Sequence, residues 1–434
     1  MQTSSTDTPA LARTMGLGAL VIYGVGDMLG SGIYALIGKT AGVMGGAVWL
    51  AFLMSMVAAL LTGLSYASLG SRYPRAAGAA YVTQRAFGWP FLSYLVGLAV
   101  MVSGLTSMGT QTRAFTGYFV GMLPDFEPLP VMLGFIGVLT FINFWGMRES
   151  TWLNVLCTLV EVGGLLIVIA VGARYWGGGE YLATPTPLGP QLVLTGAVLT
   201  FYSFIGFEDM INVAEEVKNP RRNFPIAVIL ALLIVTVIYL AVSITAVSVV
   251  PPAELAASPQ PLVEVVRRAA PAFPSVIFSV IALFAITNTA LLNYIMGSRI
   301  VYGMARQGFV PAALGAVHAR RRTPHRAILV LMLIVTGLVF VGDISALASA
   351  TSALLLAVFV VINAALIVLQ RRPNEARGLF EVPAFVPAGG ILVCLALLTQ
   401  VRGKALGIAL VLLAGIAALY FISRPRPISE ESTP

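Results

Sequence analysis

The sequence predicts an all-α membrane protein of twelve transmembrane helices, and three observations carry that expectation. Of the 434 residues, 58% are hydrophobic and only 10% are charged. A soluble domain carries about 25% charged residues, so this chain lacks the polar surface that keeps a protein in water. Apolar blocks such as Leu17–Ile37, Val48–Leu69, Leu192–Phe207, Ile226–Val250 and Leu354–Leu369 are on the scale of the roughly 20 residues that cross about 30 Å of hydrocarbon. No period-two alternation competes with them, which excludes an outer-membrane barrel.

Spans are expected near residues 15–38, 44–70, 90–122, 130–147, 152–173, 191–213, 225–250, 273–303, 325–341, 344–370, 384–401 and 405–423. They form one domain, 15–423, between polar tails at 1–14 and 424–434. The polar start, and a first apolar block that runs straight into further spans, argue against a cleaved signal peptide. If the spans alternate, 19 of the 26 basic residues collect on one side, among them Arg72, Arg85, Lys218, Arg221, Arg320 and Arg372. That bias places both termini in the cytoplasm and the protein in an inner or plasma membrane. The net charge of +8 is then topological, and nucleic acid is not an expected partner.

Cys157 and Cys394 lie inside apolar blocks and imply neither a disulfide nor a metal site. His318 and His325 share one basic loop, so no intramembrane histidine relay is expected. Without a nucleotide loop, metal cluster or nucleophile constellation, the sequence predicts neither an enzyme nor a cofactor. The external segment Pro251–Pro274 holds a short amphipathic stretch, Leu262–Ala270. It is either a lid over an outer vestibule or an interfacial helix.

Two spans carry glycine-rich interruptions near mid-depth. The first reads Gly24-Val25-Gly26-Asp27-Met28-Leu29-Gly30-Ser31-Gly32-Ile33-Tyr34, and the sixth Phe201-Tyr202-Ser203-Phe204-Ile205-Gly206-Phe207-Glu208-Asp209. They open two sets of five spans, 15–173 and 191–370. Because five is odd, the second set starts from the opposite side, which is the inverted-repeat pattern with a substrate site at the broken helices. Unwound backbone in a bilayer leaves polar groups that a cavity, water or ligand must satisfy. Gly30 and Gly32 permit positive φ. A half-helix starting near Ile33 would turn free amides toward a carboxylate. The first half of span six, ending near Ser203–Ile205, would offer carbonyls to an ammonium group. Together they suit an α-amino acid, although Gly30-Ser31-Gly32 is also what a close-packing surface looks like.

Four motifs resemble the amino acid–polyamine–organocation superfamily, along essentially the whole chain. Gly30-Ser31-Gly32-Ile33-Tyr34 resembles its helix-1 break. Arg72-Tyr73-Pro74-Arg75-Ala76-Ala77-Gly78-Ala79-Ala80-Tyr81 resembles the loop after helix 2, with Ala for the usual second Gly. Gly206-Phe207-Glu208 and Glu215-Glu216-Val217-Lys218-Asn219-Pro220-Arg221-Arg222-Asn223-Phe224-Pro225 resemble helix 6 and its exit. Arg299-Ile300-Val301-Tyr302-Gly303-Met304-Ala305-Arg306-Gln307-Gly308 resembles the end of helix 8. The resemblance implies a LeuT-like five-plus-five inverted repeat, two extra helices at 384–423, and alternating access for amino acids or amines. It assigns the substrate carboxylate to Gly30, Ser31, Gly32 and Ile33. It assigns the amine to the carbonyls of Ser203, Phe204 and Ile205 beside Gly206, and makes Tyr202 and Phe204 gate candidates. It gives Arg72–Tyr81 a role in cytoplasmic gating.

Asp27, Glu161 and Glu208 lie inside apolar blocks, where a charge at mid-bilayer costs about 2.5–3.5 kcal/mol on insertion scales. Glu208 is either a proton-responsive group or a cap on the second half of span six. Glu149-Ser150-Thr151-Trp152-Leu153-Asn154 resembles the family's helix-5 start. That alignment puts Glu161 where proton-coupled relatives have a lysine. Asp27 replaces a small residue beside the same region. Two such carboxylates close together either hold a cation or a proton between them, with Thr287, Asn288 and Thr289 as further oxygens, or are both protonated and hydrogen-bonded to neighbouring backbone. Side-chain selectivity is expected from residues such as Ser107, Asn293 and Ser349. The expected function is secondary active transport of amino acids coupled to a proton or sodium. A carrier of cationic amino acids or polyamines is the alternative, and a non-transporting membrane sensor the rival from another class.

Overall fold

The computed structural model describes residues 15–73, 78–145, 151–306, 310–321 and 323–423. Both tails (1–14 and 424–434), Pro74, Arg75, Ala76 and Ala77 of the first loop motif, Glu149 and Ser150 of the span-five motif, and Gln307 and Gly308 of the span-eight motif lie outside the described residues, as do the side chains of 151–154, Glu215, Glu216 and Arg306.

Sixteen α-helices form, with no strand among the described residues. Span one is α1 (Leu17–Leu29) plus α2 (Ser31–Met44), and span two is α3 (Val48–Arg72). A short α4 (Gly78–Phe87) precedes α5 (Pro90–Met122), α6 (Pro128–Trp145) and α7 (Thr151–Gly172), which are spans three to five. Span six begins as α8 (Pro190–Phe201) and continues as 3-10 turns. Span seven is α9 (Pro220–Val249). A short pair, α10 (Pro252–Ala257) and α11 (Pro261–Ala269), leads to α12 (Ser275–Arg306), α13 (His325–Val341), α14 (Ile344–Arg371), α15 (Phe385–Leu398) and α16 (Gly403–Ser423). Among the described residues, nine helical stretches are long and apolar enough to cross a membrane, and Leu17–Leu29, His325–Val341 and Phe385–Leu398 are shorter apolar helices. The longest of the nine, Ser31–Arg72, is divided by the 3-10 turn Gly45–Ala47 into α2 and α3.

Local chemistry sets several of these boundaries. Proline opens α5, α8, α9, α10 and α11, where its missing N–H removes nothing from the helix. Asp343 caps α14 by accepting the Ala346 N–H at 2.8 Å. Pro225 lies inside α9 and so frees the carbonyl four residues earlier. That carbonyl, on Arg221, instead accepts the Ser71 hydroxyl at 2.9 Å. Span seven is thereby pinned to the end of span two at the place where its own ladder is interrupted.

The short pair α10 and α11 covers the end of span one. A Cβ on Gly38 of α2 would lie 2.4 Å from the Leu255 carbonyl oxygen, and Lys39 donates to the Ala256 carbonyl at 3.1 Å. The apolar side of α11, with Leu262, Val263, Val265 and Val266, is buried in protein. The segment is thus packed on protein at the end of span one.

At the opposite end, the connection after α14 straps several elements together. Glu381 pairs with Arg72 at 2.7 Å. Glu375 accepts the Tyr73 hydroxyl at 2.6 Å and pairs with Arg85 of α4. Arg372 donates to the Arg85 and Ala86 carbonyls at 2.9 and 2.8 Å. Burial, and then the bond to Glu375, push the Tyr73 phenol up to about 12. The described part of the expected gating motif therefore sits in an ion-paired cluster away from the central cavity.

Candidate substrate site at the two helix breaks

The break in span one is a single residue. Gly30 joins α1 to α2 with φ −52° and ψ −133°, and no side chain caps the new helix. Two expectations are corrected here. The second half-helix begins at Ser31 rather than near Ile33, and neither Gly30 nor Gly32 takes a positive φ. Both glycines are required by close approach instead: a Cβ on Gly30 would lie 2.0 Å from Thr289 Oγ1, and one on Gly32 would lie 2.6 Å from Ser203 Cα. The uncapped amides at the start of α2 still form the donor end expected for an anion.

Span six breaks over a longer stretch. Its α-helix ends at Phe201, a 3-10 turn covers Tyr202–Phe204, and a 3-10 helix runs from Asp209 to Glu216. Between them, Gly206 has φ 129°, a conformation open to glycine alone. A Cβ there would meet the Asp27 carbonyl carbon at 2.9 Å. Glu208 accepts the Gly206 N–H at 2.9 Å, so its carboxylate acts as a cap on the turn.

Tyr239 of α9 ties the two breaks together. Its hydroxyl lies 2.5 Å from the Met28 carbonyl and 2.7 Å from the Ser203 carbonyl, so one proton serves an acceptor from each broken helix. The Ser203 carbonyl, expected to be available for an amine, is thus already engaged. Phe204, a gate candidate by sequence, is fully buried and packs edge-on against Tyr239 with centroids 5.3 Å apart. It belongs to the core. Ile33 is likewise fully buried.

A cavity lies where the breaks meet, lined by Asp27, Met28, Ser31, Gly32, Ser107, Gln111, Tyr202, Ile205, Gly206, Asp209, Thr289 and Asn293. Tyr202, the other gate candidate, lines this cavity, where its hydroxyl hydrogen-bonds with Ser107 at 2.8 Å and approaches Ser31 at 3.5 Å. Gln111 donates to Ser107 Oγ at 3.2 Å. A second space continues toward the strapped end, sharing Ser107, Ile205, Asp209 and Asn293, and adding Glu208, Met296 and Ile300.

Glu161 on α7 does not line either space. One carboxylate oxygen accepts the Asn288 amide at 3.1 Å, the other is buried without a hydrogen-bond partner, and the Tyr34 hydroxyl donates to the Glu161 carbonyl at 3.2 Å. Asn288, singled out from sequence, is therefore beside Glu161. Asp27, by contrast, shares the cavity wall with Asp209. The sequence did not single out Tyr239 or Gln111, and gave Asp209 only as the end of the span-six interruption. A lone tyrosine in the apolar run Ile226–Val250 was the available signal for Tyr239.

The chain matches the amino acid permease family over residues 16–424. It is 27% identical to a branched-chain amino acid permease of Bacillus subtilis, over 96% of this chain and 94% of that one. It is 28% identical to a methylthioribose transporter of the same organism, over 90% and 88% of the two chains. It is 30% identical to cationic amino acid transporter 9, chloroplastic, of Arabidopsis thaliana, over 72% of this chain and 59% of the longer relative. With two broken helices meeting on one cavity inside a twelve-span bundle of LeuT-like fold, the chain belongs to the amino acid permease family of the amino acid–polyamine–organocation superfamily, a family of membrane transporters and not of enzymes.

Proposed function

We propose that this chain is a secondary active transporter of amino acids that works by alternating access, with both termini on the cytoplasmic side of an inner or plasma membrane. The observation that carries this reading is the meeting of two helix breaks on one cavity, donors from one and acceptors from the other, with Tyr239 holding them in register. The substrate carboxylate sits at the amides of Ser31, Gly32 and Ile33. The amine sits at the carbonyls of Phe204 and Ile205, since that of Ser203 is engaged by Tyr239. The lid over α2 and the strap at the other end are the parts that alternate.

Coupling to a proton or sodium is assigned to Glu161, with Asp27 and Glu208 as further acids on the route. Support comes from the buried, unpartnered carboxylate oxygen of Glu161 beside Asn288. An acid so deep in a membrane bundle calls for a cation, a proton or a base. The relatives named above for branched-chain and for cationic amino acids bracket the substrate. The acids on the cavity wall favour a cationic side chain as the second reading.

Uptake into proteoliposomes of the purified protein tests the function. Amino acids should accumulate under an imposed proton or sodium gradient. Their N-acetyl and methyl-ester derivatives should compete poorly, since each masked end leaves a buried partner unpaired at about 1–3 kcal/mol. Competition indifferent to both maskings would overturn the site assignment.

A further inference from the structure

The connection between α12 and α13 carries positive charge with nothing beside it to balance that charge. Arg320 and Arg326 are exposed and Arg321 is half-buried. Residues 310–321 and 323–341, and all of α6, include no aspartate or glutamate. None of the three arginines forms an ion pair among the described residues.

This connection is fastened to the end of α6. The Thr323 hydroxyl donates to the Phe144 carbonyl at 2.9 Å, and the His318 N–H donates to the Thr323 carbonyl at 2.9 Å. His318 also packs edge-on against Phe144, with ring centroids 5.1 Å apart. On this footing the Arg321 guanidinium lies 3.4 Å from the centre of the Trp145 ring. The cation–π contact fixes the group in place and leaves its N–H donors free of hydrogen bonds among the described residues. Arg326 makes one long bond, to the Ala313 carbonyl at 3.5 Å.

A second, independent observation is the surface beneath the arginines. Trp145 is 50% exposed, and Phe141, one turn earlier on the same face of α6, is 58% exposed, with the two rings 5.4 Å apart. On α13, Arg326 precedes the exposed Leu329 and Leu333 at the spacing that shares one helix face. Two exposed apolar faces therefore both end on the arginine patch. Tryptophan and arginine at the end of a span belong to the membrane–water interface. What fills this place must carry negative charge at the level of the arginines and hydrocarbon below it, a combination that a free anion or an acidic peptide lacks.

We propose that Arg320, Arg321 and Arg326, with Trp145 beside them, bind the phosphate of an anionic phospholipid, whose chains lie along α6 and α13. Guanidinium groups hold phosphate oxygens through paired N–H donors. The lipid braces the connection that follows α12, the helix whose Asn293, Met296 and Ile300 line the transport path. The site stands independently of the substrate assigned above.

Trp145 can report on its own occupant. The full-length protein is reconstituted in phosphatidylcholine with brominated chains, which quench tryptophan fluorescence, and unbrominated phosphatidylglycerol is added to relieve the quenching. The Trp145 share is the difference between the native protein and Trp145→Phe. Phosphatidylglycerol should displace brominated lipid from Trp145 at least about fivefold better than its mole fraction predicts, the factor that one basic group near an anionic surface contributes. Arg321→Gln should bring displacement down to the mole fraction. Arg326→Gln leaves the stack on Trp145 in place and should lose part of the preference, while quenching of the exposed Trp89 and Trp176 reports an intact fold in each variant. Displacement at the mole fraction in the native protein, or an undiminished preference in both variants, overturns the site. Loss of the preference on adding excess inorganic phosphate would make the patch a site for a free anion and overturn the lipid assignment.

Discussion

The two breaks occupy corresponding places in the two sets of five spans, yet they are built differently. In span one, a single residue interrupts otherwise continuous helix, and the surrounding glycines are explained by what crowds them. In span six, an α-helix gives way to 3-10 geometry on both sides of Gly206 at φ 129°, and Glu208 is needed to hold the turn. The first break therefore supplies a compact donor end. The second supplies acceptors, acids and a tyrosine on the cavity wall. Pseudo-symmetry fixed the positions of the two interruptions and left their chemistry free to diverge.

The largest effect that would break this contrast is expected at Gly206. Gly206→Ala needs a disfavoured φ, and its Cβ would run into the Asp27 backbone, which cannot step aside. Uptake in proteoliposomes should be lost. Gly30→Ala meets the Thr289 side chain instead, so Thr289→Ala should restore part of its activity, while no side-chain change near Gly206 should do so. Equal rescue of both would erase the distinction.

Next comes Tyr239→Phe. It removes the single proton shared by the Met28 and Ser203 carbonyls and leaves buried acceptors unmet, at about 1–3 kcal/mol. Transport should fall by roughly tenfold or more, and the protein should remain monodisperse. Native uptake rates would mean that the breaks hold their register without the hydroxyl.

Glu161→Gln should have a narrower effect. It should remove the proton or sodium dependence of net uptake and largely spare exchange of preloaded substrate. Persistent dependence would move the coupling role toward Glu208.

The smallest effect belongs to the strap, far from both breaks. Partial burial pushes the Glu375 carboxyl up, but hydrogen bonds from Tyr73 and Arg85 and the nearby arginine charges outweigh this and hold it below its ordinary value. A carboxyl lowered on folding contributes stability above its unfolded pKa, and loses it as pH falls through the lower folded value. Glu375→Gln should therefore lower the melting temperature slightly at neutral pH, and the difference should vanish only on acidification below about 4.3. Arg85 is 37% exposed, so solvent screening keeps the effect within about 1 kcal/mol. A strap that titrated between pH 5 and 8 would contradict this assignment.

How legible this was in the sequence follows from physics. Span lengths are set by the bilayer, and the predicted 325–341 coincides with α13, while 90–122 coincides with α5. The first span runs further than expected, to Met44, and Gly38 and Gly42 at this end admit the close approach of α10. The amphipathic α4 was hidden in a loop motif, since ten residues of mixed polarity give little periodic signal. Both breaks were visible through their glycines, but which glycine carries positive φ depends on the partner backbone, and the partner is remote in sequence. Phe204 and Tyr202 are two residues apart and alike in chemistry. Only the tertiary structure assigns one to the core and the other to the cavity.

The start of span one and the exit of span six are tied by backbone pairing: Met15 and Val217 form a parallel bridge, and the Lys218 N–H donates to the Met15 carbonyl at 2.8 Å. A fastening of this kind is indifferent to side-chain identity. Alanine at Lys218 would leave this bond intact, so its importance leaves little trace in side-chain truncation. Proline is the exception, because it deletes the donor itself. Lys218→Pro would sever a link that ordinary mutagenesis leaves in place, making this junction mechanically central and genetically quiet.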